Sequence, residues 1–75
     1  MEQNMNMDNI GSAMLMIYDE LKNDKTSKGI IELIDEAEND DQVKAGIRDA
    51  VKRLRELGKN ALADDIEQKT KGFAF

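Results

Sequence analysis

The chain has no cysteine, histidine, proline or tryptophan, and its aromatics are one tyrosine and two phenylalanines. Without cysteine there can be no disulfide and no thiolate metal site to staple so short a chain. A chain lacking disulfides suits a reducing compartment. Without histidine or cysteine the usual general base, thiol nucleophile and zinc ligands are missing. No glycine-rich phosphate loop and no G-x-S-x-G stretch occurs. Long apolar runs are missing too: the longest, "AMLMIY", has six residues, where a membrane span needs about 20. The start, "MEQNMNMDN", is polar and lacks the basic and apolar regions of a secretory signal. These absences predict a soluble, cytoplasmic protein that is not an enzyme, with no cofactor, no metal, no small-molecule substrate and no membrane partner.

What is present reads as helix. Seventy-five residues, 40% of them hydrophobic and 36% charged, make one domain near the lower size limit for independent folding. The expected domain is 1–75, with 1–8 and 70–75 flexible. Ile10, Ala13, Met14, Ile17 and Leu21 recur every three or four residues, so they share one face of a helix over about 9–22. Asp8 or Asn9 can cap its start. Leu15 and Met16 fall off that face, one to each side, so this helix is either central in the bundle or part of a self-association surface. "KNDKTSKG" is a linker, with Thr26 or Ser27 as cap for a second helix over about 27–38 that carries Ile30, Ile31, Leu33, Ile34 and Ala37. "NDDQ" resembles a capping box, with Asn39 and Gln42 three residues apart.

The third helix, about 41–57, turns Val43, Ile47, Ala50, Val51, Leu54 and Leu57 inward, and Gly58 is its left-handed stop. A short fourth helix follows, with Asn60 as cap and Leu62 and Ile66 one turn apart. Period-two alternation is nowhere sustained, which predicts an all-α fold, a small four-helix bundle with tight turns.

Charge is divided unevenly. Residues 1–40 hold ten acids and three lysines, whereas residues 41–75 hold six acids and eight bases. At ~100° per residue, Lys44, Arg48, Lys52, Arg55 and Lys59 fall within an arc of about 80° on the third helix, with Arg53 on the far side. Neighbours along this stripe repel one another. Something negative is therefore expected opposite it: the acidic face of helix 2 (Glu32, Asp35, Glu36, Glu38), a run of nucleic-acid phosphates, or an acidic protein. The net charge of −5 and the lack of an aromatic within the stripe count against nucleic acid. In the tail, Lys69, Lys71, Phe73 and Phe75 alternate and partly answer the second point.

Among other constellations, Met14 is expected to fill core, while Met5 and Met7 are expected to be disordered rather than a methionine-rich patch. Phe73 and Phe75 either dock back on the bundle or hang free for a partner. Asp64 and Asp65 are adjacent on a helix, so their carboxylates diverge. "ENDDQVKAG" lacks the alternating ligands, central glycine and closing glutamate of a calcium loop.

The four-helix layout and the turn "RLRELGKNALADDIEQ" resemble the C-terminal nucleic-acid-binding module of RecQ-type helicases (HRDC-like). They also resemble small phage-encoded four-helix accessory proteins, such as the short reading frame beside the phage UvsW repair helicase. "LRELGKNALADDIE" is similar to the last helices of death-fold modules. The likeness covers layout over most of the chain and sequence over about fifteen residues, and the acidic first half departs from it. The helicase-module resemblance implies contact with DNA at Lys44, Arg48, Lys52, Arg55 and Lys59. The death-fold resemblance implies modules that bind one another through charged faces. A protein-interaction or regulatory module without nucleic-acid contact is the alternative, using Leu15, Met16 and the Phe73/Phe75 tail. Expected partners are thus a larger protein or helicase-type machine, or DNA, with the protein a monomer or weak dimer in the cytoplasm, of a host cell if phage-encoded.

Overall fold

The computed structural model describes residues 3–75, with side chains from residue 9 onward. It is an all-α four-helix bundle: α1 (Gln3–Leu21), a one-turn 3-10 helix (Lys25–Ser27), α2 (Lys28–Asp35), α3 (Asp40–Glu56) and α4 (Asn60–Lys69). Among the described residues no helix is long and apolar enough to cross a membrane.

α1 starts at Gln3, well upstream of the expected start, so Asn9 lies inside the helix and is not its cap. The readings of Met5, Met7 and an Asp8 cap fall on side chains outside the described set, and residues 1 and 2 are outside it altogether. Ala13, Ile17 and Leu21 are buried and Ile10, Met14 and Tyr18 pack beside them, the stripe that three-and-four spacing produces. α1 is not the central helix. That place belongs to α3, which lies between α2 and α4, while α1 packs mainly on α4.

The linker is organised by Asp24 and not by Thr26 or Ser27. The Asp24 carboxylate accepts from the Thr26 N–H (3.2 Å), the Thr26 hydroxyl (2.8 Å) and the fully buried Ser27 hydroxyl (2.6 Å). Ser27 therefore occupies the α2 cap position without bonding there. α2 ends at Asp35, short of Glu38. Asn39 caps α3 as the sequence predicts, accepting from Gln42 N–H at 2.9 Å, while the Gln42 side chain reaches back to Glu38 N–H at 2.6 Å. Asp40 and Asp41 sit in the first turn, where the helix dipole favours negative charge.

α3 ends in a Schellman turn. Gly58 has φ 81°, Lys59 N–H bonds Leu54 C=O at 2.8 Å, and Gly58 N–H bonds Arg55 C=O at 3.0 Å. The helix stops at Glu56, so Leu57 sits at its C-cap and leaves the core-facing stripe. It is 41% exposed, against the expectation that it points inward. Lys59, not Asn60, occupies the cap position of α4, and no side chain caps that helix.

The tail after α4, expected to be flexible, is folded. Thr70 is buried and its hydroxyl donates to Ile66 C=O at 2.8 Å. Gly72, with φ 89°, then reverses the chain, and the Phe73 and Ala74 N–H groups both return to Thr70 C=O at 2.9 Å. Ala74 ends up in the core cluster.

Candidate nucleic-acid interface

Of the five cations, Lys44, Arg48 and Arg55 on α3 meet the tail or α4, and Lys59, just beyond the end of α3, meets one end of α1. Lys52 instead lines a shallow depression with Gly29, Ile30 and Leu33 of α2. None of the five meets the acidic residues of α2. Among the described residues no ion pair links Glu32, Asp35, Glu36 or Glu38 to the stripe. α2 docks against the Gly46 flank of α3, and of the stripe only Lys52 borders the depression between them.

The stripe divides into two unlike halves. Toward the C-terminal end, Arg55 Nη2 is held by Asp64 Oδ1 at 2.8 Å and Glu67 Oε2 at 2.9 Å. The hydrogen bonds that Arg55 donates to Glu67 and then to Asp64 raise the guanidinium pKa above its ordinary value. Lys59 Nζ lies 3.2 Å from Glu20 Oε2 on α1. These two charges are neutralised within the fold.

Toward the N-terminal end the partners are neutral. Lys44 Nζ stands 5.2 Å from the centre of the Phe73 ring, within range of a cation–π contact. Arg48 Nε donates to Ala74 C=O at 2.6 Å. Neither a ring face nor a carbonyl cancels a charge. Lys52 is exposed and makes no ion pair among the described residues. Asp41 and Asp49 border this half without ion-pairing with it. Arg53, off the stripe as predicted, bonds Glu56 at 3.0 Å and Thr26 C=O at 3.0 Å.

The tail adds to the unneutralised half. Lys69, Lys71, Gly72 and Phe73 line one shallow depression with Ile10. Lys69 Nζ is 3.8 Å from Asp65, one turn back on α4, while Lys71 is exposed and makes no ion pair among the described residues. Phe75 is 48% exposed. The lysine–phenylalanine alternation was legible in the sequence, but its approach to Lys44 and Arg48 was not. The one local hint was Gly72, whose positive φ turns the tail back.

The other sequence-derived surface separates. Leu15 is 70% exposed, whereas Met16 is partly buried and packs against the core. Both line a shallow depression on the outer side of α1 with Ser12, Tyr18, Asp19 and Lys22. Beside it the Tyr18 hydroxyl donates to Asp35 and ties α1 to α2.

The chain matches no protein-family model, no curated protein and no solved structure.

Proposed function

We propose that this chain is a non-enzymatic, cytoplasmic accessory module that acts by binding, with Lys44, Arg48 and Lys52 contacting nucleic-acid phosphates. The observation that carries the reading is the division of the stripe. Three cations on successive turns, about 6 Å apart along the axis, keep their charge because their partners are a ring, a carbonyl and solvent. Lysine and arginine opposite a phosphate backbone supply most sequence-independent affinity. Despite the net negative charge, Glu32, Asp35, Glu36 and Glu38 form no ion pair with the stripe among the described residues, and Asp49 and Glu56 beside Lys52 form none with it either. The resemblance to RecQ-type modules and small phage accessory proteins supports a place beside a helicase in repair, recombination or replication.

The test is binding of fluorescent oligonucleotides. Lys52→Glu is expected to weaken binding similarly for all sequences and to lower the salt dependence by about one unit of slope. Failure of the wild-type protein to bind any oligonucleotide at low salt would reject the reading. Arg55 is the wrong residue to mutate for this purpose, since its loss disturbs the α3–α4 contact.

Exposure of Leu15 favours a second reading, a protein-interaction module working through the outer face of α1. Sedimentation velocity over a wide concentration range tests its self-associating form. A dimer that Leu15→Lys dissolves supports it, and a strict monomer at every concentration counts against it.

A further inference from the structure

We infer that the tail makes this surface selective for single-stranded nucleic acid, with Phe75 as the stacking platform; the inference rests on the nucleic-acid reading above. The argument begins with rigidity. Phe75 follows Ala74, which is 1% exposed, and the Ala74 carbonyl is held by Arg48 at 2.6 Å. The Gly72 reversal and the two N–H bonds to Thr70 C=O fix the backbone on the other side. The Phe75 ring is therefore an exposed aromatic on an anchored base, and ordering it costs little when a ligand arrives.

Cations contact the residues just before that ring. Lys44 and Arg48 reach the tail from α3, at the Phe73 ring and the Ala74 carbonyl. Lys71 stands four residues before Phe75 on the same folded segment. The α4 acids nearest the tail are engaged elsewhere, Glu67 with Arg55 and Asp65 with Lys69. Phosphates and bases are thus addressed together: cations for the backbone, an aromatic face for a base.

This combination distinguishes strands. In a duplex the base faces are stacked on one another, so an aromatic side chain adds nothing to backbone attraction. In a single strand they are available, and stacking is tolerant of sequence because every base has a π-face. Nothing in this chemistry separates DNA from RNA, so both are ligands to be tried.

The experiment titrates the full chain into fluorescent oligo-dT and oligo-rU of about 15 nucleotides, and into a duplex of equal length, using wild type, Phe75→Ala, Phe75→Trp and Lys52→Glu. Phe75→Ala is expected to weaken single-strand binding roughly 5- to 150-fold, the loss of one stacked base, and to change duplex binding less than about twofold. Phe75→Trp is expected to retain the affinity, and its emission, alone of its kind in a chain without tryptophan, to be quenched by single strands and not by duplex. Equal effects of Phe75→Ala on both ligands, or no effect on either, would overturn the inference while leaving the nucleic-acid reading in place. Absence of binding to every oligonucleotide by wild type would overturn that reading, and the inference with it. Binding of only the deoxy or only the ribo strand supports the inference and names the source.

Discussion

Gly46 faces Ile34 so closely that a Cβ built on the glycine stands 2.6 Å from Ile34 Cγ1. Both residues are buried, and the contact is where α2 docks on the central helix. Alanine has the better helix propensity by about 1 kcal/mol, yet a methyl at that distance must push Ile34 or the whole of α2 away. Overpacking of this kind costs about 1–3 kcal/mol. Gly46→Ala is therefore expected to destabilise on balance, visible as a lower midpoint in urea. Gly11→Ala is the control: nothing lies within 4 Å of its added Cβ, so the propensity gain stands alone and the midpoint should rise.

The buried faces of α1, α2 and α3 were legible because three-and-four spacing writes them directly, and so were the Asn39 cap and the Gly58 stop, which depend on local chemistry. Leu57 was misplaced because its inward direction held only if α3 continued another residue. Arg55 lies on α3, whereas Lys59, placed on the same arc by assuming an unbroken helix, lies beyond the Gly58 turn. Their carboxylate partners, the pair Asp64 and Glu67 for Arg55 and Glu20 for Lys59, depend on how α1 and α4 cross α3. Helical periodicity gives each helix its face and says nothing of which neighbour meets its flank. The split of the stripe into neutralised and unneutralised halves is a property of packing, and only the coordinates carry it.

Tyr18 offers a spectroscopic check on the α1–α2 tie. Its phenol is pushed up to about 12, first by its hydrogen bond to Asp35, then by burial and by the Asp35 charge. It is the only tyrosine in a chain without tryptophan, so ultraviolet absorbance of tyrosinate reports this one group. A raised folded pKa means that the stabilisation is complete below the unfolded value near 10. It is lost as pH climbs from about 10 through about 12. Asp35→Asn is expected to bring the midpoint down toward 10, and denaturation curves for wild type should weaken over that same window.

At the acid end Asp24 plays the converse part. Its carboxyl is held below the usual range, chiefly by the Ser27 hydroxyl and then by Thr26. A lowered folded pKa contributes stability above the unfolded value and loses it as pH falls through the folded one. Asp24→Ala should remove this acid-side dependence and leave the buried Ser27 hydroxyl without its acceptor. The measurement is the difference in melting temperature between wild type and variant, expected to be large near neutrality and to shrink below about pH 4.

The two halves of the stripe should respond differently to mutation. Lys44, Arg48 and Lys52 repel one another at four-residue spacing, by a few tenths of a kcal/mol per pair. Asp49 and Glu56, three and four residues from Lys52 and lining the same depression, relieve part of this without ion-pairing with it. Lys52→Glu gains attraction to Arg48 and Arg55 but gains repulsion from Asp49 and Glu56, so its melting temperature should change little at low salt while oligonucleotide binding falls. Arg55→Ala leaves Asp64 and Glu67 facing each other without their shared cation. Its melting temperature should fall, most at low salt, while the salt slope of oligonucleotide binding stays at the wild-type value. Salt screens both effects, so the two variants should converge on wild-type stability as ionic strength rises. If Lys52→Glu instead melts markedly lower than wild type at low salt, Lys52 has a stabilising partner in the fold and does not belong to the free half of the stripe.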